Sequence, residues 1–175
     1  MTSFSSENLP PVPPGGQMNA WPISGHGEEN ASATGLELYA FLTEKTGGQR
    51  FLRRSDFTPA EVQKWLPNIS VFDLVYDGSG LVVDAIIRLL GSSAVSIYGE
   101  HTGKSIFSHS PTTGENILGM VQMMVAENQV VVGLVTKHFK NRPDVQLRAL
   151  CVPISENGVN VNQMLIHLDV RILSS

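Results

Sequence analysis

The amino-acid sequence predicts an α+β fold in which a five-stranded antiparallel sheet carries helices on one face. Segments typical of strands occur first as a pair and then, after a helical region, as a group of three. Short turn sequences such as DGSG at residues 77–80 separate neighbouring strands, and such turns favour antiparallel hairpins. The longest helical segment has an apolar stripe along one side, which is typical of a helix packed against a sheet.

The chain begins with a segment that predicts little regular structure. Residues 1–33 are rich in proline, glycine and serine and show no sustained periodicity, so we expect a flexible N-terminal tail. Residues 34–175 are then expected to form one domain that starts with an N-terminal helix. The periodicity of residues 35–45 predicts this helix, with Thr34 as its N-cap and Gly47 after its last turn.

A second, shorter helix is expected at residues 58–65. Thr58 and Glu61 have the spacing of a capping box, in which each side chain bonds to the backbone N–H of the other residue. Pro59 suits the first helical position, and Pro67 is expected to end the helix.

The remaining segments predict the sheet and its crossover. Strands are expected at residues 69–76, 81–90, 129–140, 145–155 and 161–173. Residues 91–127 read as helical and loop segments, with a longer helix from about Thr112 whose apolar stripe contains Ile117, Met120, Val121, Met124 and Val125. In the last strand, Met164, Ile166, Leu168 and Val170 alternate with polar residues, which predicts one buried face and an outward His167.

Composition limits the classes of function. A content of 42% hydrophobic and 16% charged residues is typical of a globular domain, and 175 residues can bury a real core. The net charge of −4 provides no basic surplus for phosphate contacts, so we expect no nucleic-acid partner. No apolar run approaches the ~18 residues of a membrane-spanning helix, so we expect no membrane insertion.

The single cysteine and the N-terminus bear on the compartment. Cys151 cannot form an internal disulfide, and the first residues lack a cationic and apolar signal-peptide pattern, so we expect a cytoplasmic protein. Cys151 lies in an apolar run, which favours a buried strand residue over a reactive thiol.

The stretch YGEHTGKS at residues 98–105 ends like a phosphate-binding loop. That loop requires a glycine five residues before its second glycine, which is Gly103 here. Tyr98 occupies that position, and Gly99 makes the loop one residue too short. The sequence therefore argues against a nucleotide site.

Motifs for other chemistry are equally weak. The five histidines include no pair at the i, i+4 spacing of a helical two-histidine metal site, and the single cysteine forms no cluster with them, so no metal ligands are assigned. No Ser/His/Asp signature and no clear pair of carboxylates is present, so we assign no catalytic residue and expect no enzyme.

Four stretches in order carry a resemblance to a known family: RSDFTPAE at residues 54–61, WLPN at 65–68 followed by Asp73, residues 88–104 from RLLGS to YGEHTGK, and VPISENG at 152–158. Together with the order of the predicted elements, they make residues 50–170 resemble a PAS domain, in particular the single-domain subfamily common in alphaproteobacteria. In that resemblance the glycines of the YGEHTGK loop serve unusual backbone angles, and Lys104 is solvated.

The resemblance implies a non-catalytic sensory or adaptor protein in signal transduction. It would act by contact with a signalling partner, tuned in some members by a small ligand. The alternative is a haem-, flavin- or metabolite-binding sensor in which the cavity ligand is the main signal. No cofactor is required by the resemblance, and a haem or another small ligand stays open.

The resemblance also suggests where a ligand and a partner would bind. Tyr98, His109, Met120 and Met124 are the candidate ligand-binding residues. The helix at residues 36–45 resembles one that many PAS domains use to form homodimers, so a homodimer is expected. Because the 175 residues contain no recognisable output segment, a signal would pass through an exposed sheet face, the first helix or the tail.

Overall fold

A computed structural model describes residues 18–173, and these residues form an α+β fold around an antiparallel sheet of six strands. The order of the strands across the sheet is β1-β4-β5-β6-β2-β3. Their bounds are β1 Met18–Pro22, β2 Ile69–Tyr76, β3 Val82–Leu89, β4 Val131–Lys137, β5 Val145–Ile154 and β6 Gln163–Ile172. The last five strands confirm the predicted strands to within a few residues at each end.

The prediction of five strands is wrong because the sheet has a sixth strand at its edge. Strand β1 pairs antiparallel with β4, with Ala20 opposite Gly133. Met18 and Ala20 are buried, whereas Asn19 between them is exposed. A five-residue strand shows too short an alternation to be recognised beside a proline-rich segment.

Strand β1 comes from the part of the chain that was expected to be a flexible tail. After it, a helical turn at Ile23–Gly27 and α1 (Glu28–Asn30) lead into the first long helix. The rest of the expected tail, residues 1–17, lies outside the described residues.

Helices cover both faces of the sheet, so the prediction of helices on one face is wrong. Helices α3 (Ser92–Tyr98) and α4 (Pro111–Glu127) pack on one face. Helix α2 (Ala33–Thr46) packs on the other face, together with 3-10 turns at Arg54–Asp56 and Gln63–Asn68. Strands β5 and β6 can be covered on both sides because they are apolar on both sides.

Two hydrophobic cores result from this layering. The first lies between the sheet and α4 and contains Met120, Val121, Met124, Leu147 and Met164. The second lies under α2, and its members are Leu38, Leu42, Trp65, Leu150, Val152, Ile154 and Leu165.

His167 belongs to the second face, where it is 1% exposed, so the expected outward orientation of its ring is wrong. Gly35 of α2 lies against this ring, because a Cβ added to it would be 3.4 Å from His167 Nδ1. The prediction from the alternation in β6 assumed that one face of the sheet is open to solvent, but α2 covers that face.

The capping residues predicted the end of the first long helix correctly but not its start. Helix α2 begins two residues earlier than the cap suggested: the Ser32 hydroxyl, and not that of Thr34, accepts the hydrogen bond from the Gly35 N–H at 3.0 Å. Gly47 ends the helix as expected, with a left-handed φ of 69°.

The capping-box residues Thr58 and Glu61 bond to each other's backbone N–H groups at 3.3 and 2.8 Å. The turn they stabilise continues as a 3-10 helix that contains Pro67, and it is not an α-helix. None of the described helices combines the length and the apolar character that crossing a membrane requires.

Candidate functional site

A cavity of about 80 Å³ lies between the sheet and helices α3 and α4. Each of the six strands contributes at least one residue to the wall on the sheet side. The loop after α3 closes the end of the cavity near α4. Most of the wall is apolar, and the apolar side chains are Met18, Phe72, Ile87, Leu90, Ala94, Ile106, Ile117, Met120, Val135, Leu147, Ala149, Ile166 and Leu168.

Three of the four candidate residues from the sequence line this cavity. Tyr98 ends α3, His109 precedes α4, and Met120 projects from the middle of α4. Met124 does not line it, because its side chain is fully buried in the adjacent core. The structure thus brings Tyr98, His109 and Met120 together and places Met124 one helical turn away from them.

Apart from Ser70 on β2, the polar side chains of the wall lie together at one end of the cavity. The Tyr98 and His109 rings are 5.2 Å apart, edge to face. The Lys137 ammonium lies 4.6 Å from the centre of the Tyr98 ring and donates a hydrogen bond of 3.1 Å to Thr113 Oγ1. His101, Ser108 and Asn116 complete this polar end.

The YGEHTGKS loop has a structural role at this end. Gly99 and Gly103 have positive φ values of 80° and 84°, which side chains with a Cβ rarely adopt. The Gly103 N–H donates to the Ile87 carbonyl at 2.7 Å, so the loop pairs with strand β3. Lys104 is exposed, and the loop forms part of the cavity wall.

The side chains of this loop hold one another in place. A ring nitrogen of His101, Nε2, is hydrogen-bonded to the Tyr98 carbonyl at 2.9 Å, and its Nδ1 is 2.9 Å from the Ser108 hydroxyl. Both His101 nitrogens are therefore engaged, one with the loop itself and one with the segment that follows it. His109, by contrast, is largely exposed at the rim, and its closest polar partner is Thr113 Oγ1 at 3.5 Å.

The electrostatics of the polar end favour a negative ligand. Burial lowers the pKa of Lys137 below its ordinary value, and no acidic group offsets this effect. Burial also lowers the pKa of His109, with smaller contributions from Lys137 and His101, and raises the pKa of the Tyr98 hydroxyl. Among the residues that line the cavity there is no aspartate and no glutamate.

Sequence reasoning missed the polar residues of the two walls. Thr113, Asn116, Ile117 and Met120 lie on one face of α4 at i, i+3, i+4 and i+7. Lys137 lies on the same face of β4 as Gly133 and Val135, because side chains alternate along a strand. Both periodicities were visible in the sequence, but the sequence analysis assigned no role to the polar residues at these positions.

Other candidate chemistry finds no support at this site. Burial raises the pKa of the Cys151 thiol to about 12, so the thiol stays protonated and unreactive. Its Sγ lies 3.8 Å from the Met120 Sδ. Within residues 18–173, no three histidine, cysteine, aspartate or glutamate side chains come together as metal ligands would.

Comparisons with known proteins returned no relative. No protein-family model matches the chain, and no curated protein or solved structure matches it either.

Proposed function

We propose that this chain is a cytoplasmic sensory protein of the PAS type, which binds a small molecule in the cavity between the sheet and α4 and signals by contact with a partner protein. The single observation that carries the proposal is the cavity itself. It joins an apolar wall to a cluster of polar groups, which is the usual character of a small-molecule site.

The order of the elements supports the PAS resemblance. Along the chain, α2 precedes a β-hairpin, a helical crossover and a three-stranded meander, which is the layout on which the resemblance rests. The YGEHTGK stretch, one of the four stretches that carry the likeness, forms the wall of the cavity. Fold resemblance alone assigns no activity, so the argument depends on the cavity.

The size of the cavity selects among the ligands that the resemblance left open. A cavity of 80 Å³ holds roughly six water-sized groups and admits a ligand on the order of ten non-hydrogen atoms. A haem or a flavin is several times larger, and His109 lies exposed at the rim. The residues present therefore do not fit these cofactors, and a small metabolite fits better.

A signal from the cavity can reach the surface through the sheet. The cavity contacts Leu147 and Ala149 of β5, whereas Leu150 and Val152 of the same strand pack under α2. A ligand that shifts β5 would change the packing of α2. Since α2 covers the sheet face on which a partner was expected, we propose α2 itself as the contact surface.

Native mass spectrometry of protein purified gently from cells tests this proposal. We expect a fraction of the folded chain to carry one small molecule that is lost on denaturation, with no haem or flavin band in the absorbance spectrum. A haem or flavin band with matching mass would contradict the proposal and support the cofactor-binding alternative.

We also propose that the chain forms a homodimer through α2. Leu36, Tyr39 and Phe41 of this helix are only partly buried, so apolar surface is left for a second copy. Light scattering of the full chain at micromolar concentration is expected to give twice the mass of one chain. A single-chain mass at that concentration would contradict the dimer.

A further inference from the structure

The polar end of the cavity contains a cation without a counter-charge. Lys137 is half-buried and forms no ion pair within residues 18–173. The cavity wall has no carboxylate, and its other titratable members are His101, His109 and Tyr98. Removing a cation from water without an anion nearby costs free energy, which binding of an anion would offset.

The contacts of Lys137 leave part of its bonding capacity free. An ammonium group has three N–H donors, and the hydrogen bond to Thr113 Oγ1 at 3.1 Å uses one of them. The Tyr98 ring, 4.6 Å from the ammonium, supplies an electron-rich face and no acceptor oxygen in the direction of the donors. Donors therefore remain for a ligand.

Asn116 provides an independent observation at the same wall. It is 8% exposed and lines the cavity, yet its side-chain amide makes no hydrogen bond with any described residue. The amide atoms are not closed off completely, so a water molecule or a ligand in the cavity can reach them and supply the missing hydrogen bonds. Asn116 lies one turn after Thr113 on α4, which places it beside the residue that Lys137 contacts.

We propose that the ligand is a small organic acid, whose carboxylate binds Lys137 and Asn116 and whose compact apolar body fills the rest of the cavity. This assignment rests on the proposed function, since it names the ligand class of the same cavity. The apolar wall, with Phe72, Ile87 and Leu147, accounts for the body of the ligand. Free phosphate or sulfate would leave that wall unfilled.

Isothermal titration calorimetry with matched probes tests the charge requirement. The probes are benzoate and hexanoate, their uncharged counterparts benzamide and hexanamide, and the cation benzylamine. We expect at least one carboxylate to bind at least tenfold more tightly than its amide, because a hydrogen bond to a charged group is stronger than one between neutral groups. Benzylamine should not bind, since it would place a second cation beside Lys137.

Variants then test the residues. Lys137→Met keeps the apolar stem and removes the charge, and it should weaken carboxylate binding tenfold to a hundredfold. Asn116→Leu keeps the helix and removes the amide, and it should weaken binding less. Lys104→Met is the matched control, because Lys104 is an exposed lysine that does not line the cavity, and it should leave the affinity unchanged.

The possible results separate the two proposals. If the probes bind but neither carboxylate binds more tightly than its amide, or if Lys137→Met leaves the affinity for the carboxylate unchanged, the anion assignment is overturned while a ligand-binding cavity stands. If none of the five probes binds, both proposals are contradicted. Should Lys137→Met fail to fold, the comparison of acid and amide on the unchanged protein still decides the anion assignment.

Discussion

His167 is the buried polar residue with the clearest consequence for stability. Neither ring nitrogen has a hydrogen-bond partner among the described residues, and the ring lies between β6 and α2. A buried imidazole without partners loses its hydration and gains nothing in return. Burial, the largest influence, lowers the pKa of His167 below 6.5, although the nearby Asp169 acts in the opposite direction.

The substitution His167→Leu is expected to stabilise the protein by about 1 kcal/mol at neutral pH, because it removes two unsatisfied polar atoms and preserves the volume. Urea unfolding monitored by circular dichroism measures the effect. His138→Leu is the control, since His138 is an exposed histidine of which 75% of the side chain is accessible. Equal effects of the two substitutions would contradict this account of His167.

The pH dependence of stability follows from the same residue. As the pH falls below 6.5, the unfolded chain binds a proton at this position before the folded chain does. With respect to this residue, the free energy of unfolding is therefore highest above pH 6.5, where His167 is neutral in both states. It falls as the pH drops below 6.5, because the unfolded chain then gains the proton more readily. His109, whose pKa is also lowered, adds to the same trend. The His167→Leu variant should show a flatter decline on the acid side.

At the scale of elements, α4 positions most of the cavity wall, and its two ends are well defined. The Ser110 hydroxyl accepts a hydrogen bond of 3.1 Å from the Thr113 N–H, and Pro111 occupies the first turn. At the other end, Asn128 adopts a left-handed conformation with φ 52°. The Gln122 side chain ties the middle of the helix to β3 by donating to the Val82 carbonyl at 2.9 Å.

Substitutions of Asn128 test the C-terminal end of α4. Asn128→Ala should destabilise the protein by about 1 kcal/mol, because alanine adopts the left-handed conformation at a cost that asparagine largely avoids. Asn128→Gly should be close to neutral, because glycine adopts it freely. Thermal unfolding of both variants provides the measurement, and an alanine variant as stable as the glycine variant would contradict the assigned backbone conformation.

The elements also show which parts of the fold the sequence could predict. Strands β2 to β6 and helix α4 have enough residues for their periodicity to be recognised. Strand β1 has five residues, and its pairing with β4 is a contact between distant parts of the chain. Local periodicity carries no information about such a contact.

The candidate site was predictable to a similar extent. Tyr98, His109 and Met120 could be chosen from the resemblance, and all three line the cavity. Lys137 and Asn116 could have been found from the strand and helix periods, but a polar residue on a buried face is ambiguous without knowledge of a cavity. Met124 was chosen as a ligand-binding residue but lies in the filled core, because helical periodicity alone does not distinguish a residue of a cavity wall from a residue of a filled core.

At the scale of the whole molecule, β1 decides how the cavity is closed. Met18 of β1 lines the cavity, and the strand covers the edge of β4, whose backbone groups would otherwise be unpaired. Strand β1 is therefore expected to be part of the folded unit, although the sequence analysis placed its residues in a flexible tail.

Two substitutions that add the same charge to β1 test this expectation. Ala20→Asp places a carboxylate at a position that is 1% exposed, and it should destabilise the protein by about 2 kcal/mol or more. Asn19→Asp adds the same charge to the exposed side of the strand and should change the stability little. If urea unfolding gives equal values for both variants, β1 does not dock on the sheet as described.

The central claim, that the cavity is a ligand site, is tested most directly by NMR of the methionine methyl groups. Met18 and Met120 line the cavity, whereas Met124 and Met164 lie in the filled core beside it. The full chain labelled with ¹³C at these methyl groups is titrated with benzoate and, in a second sample, with benzamide. The account predicts saturable shifts of the Met18 and Met120 signals with benzoate, and smaller shifts at Met124 and Met164. Saturation with neither probe, or shifts confined to methionines away from the cavity, would contradict it.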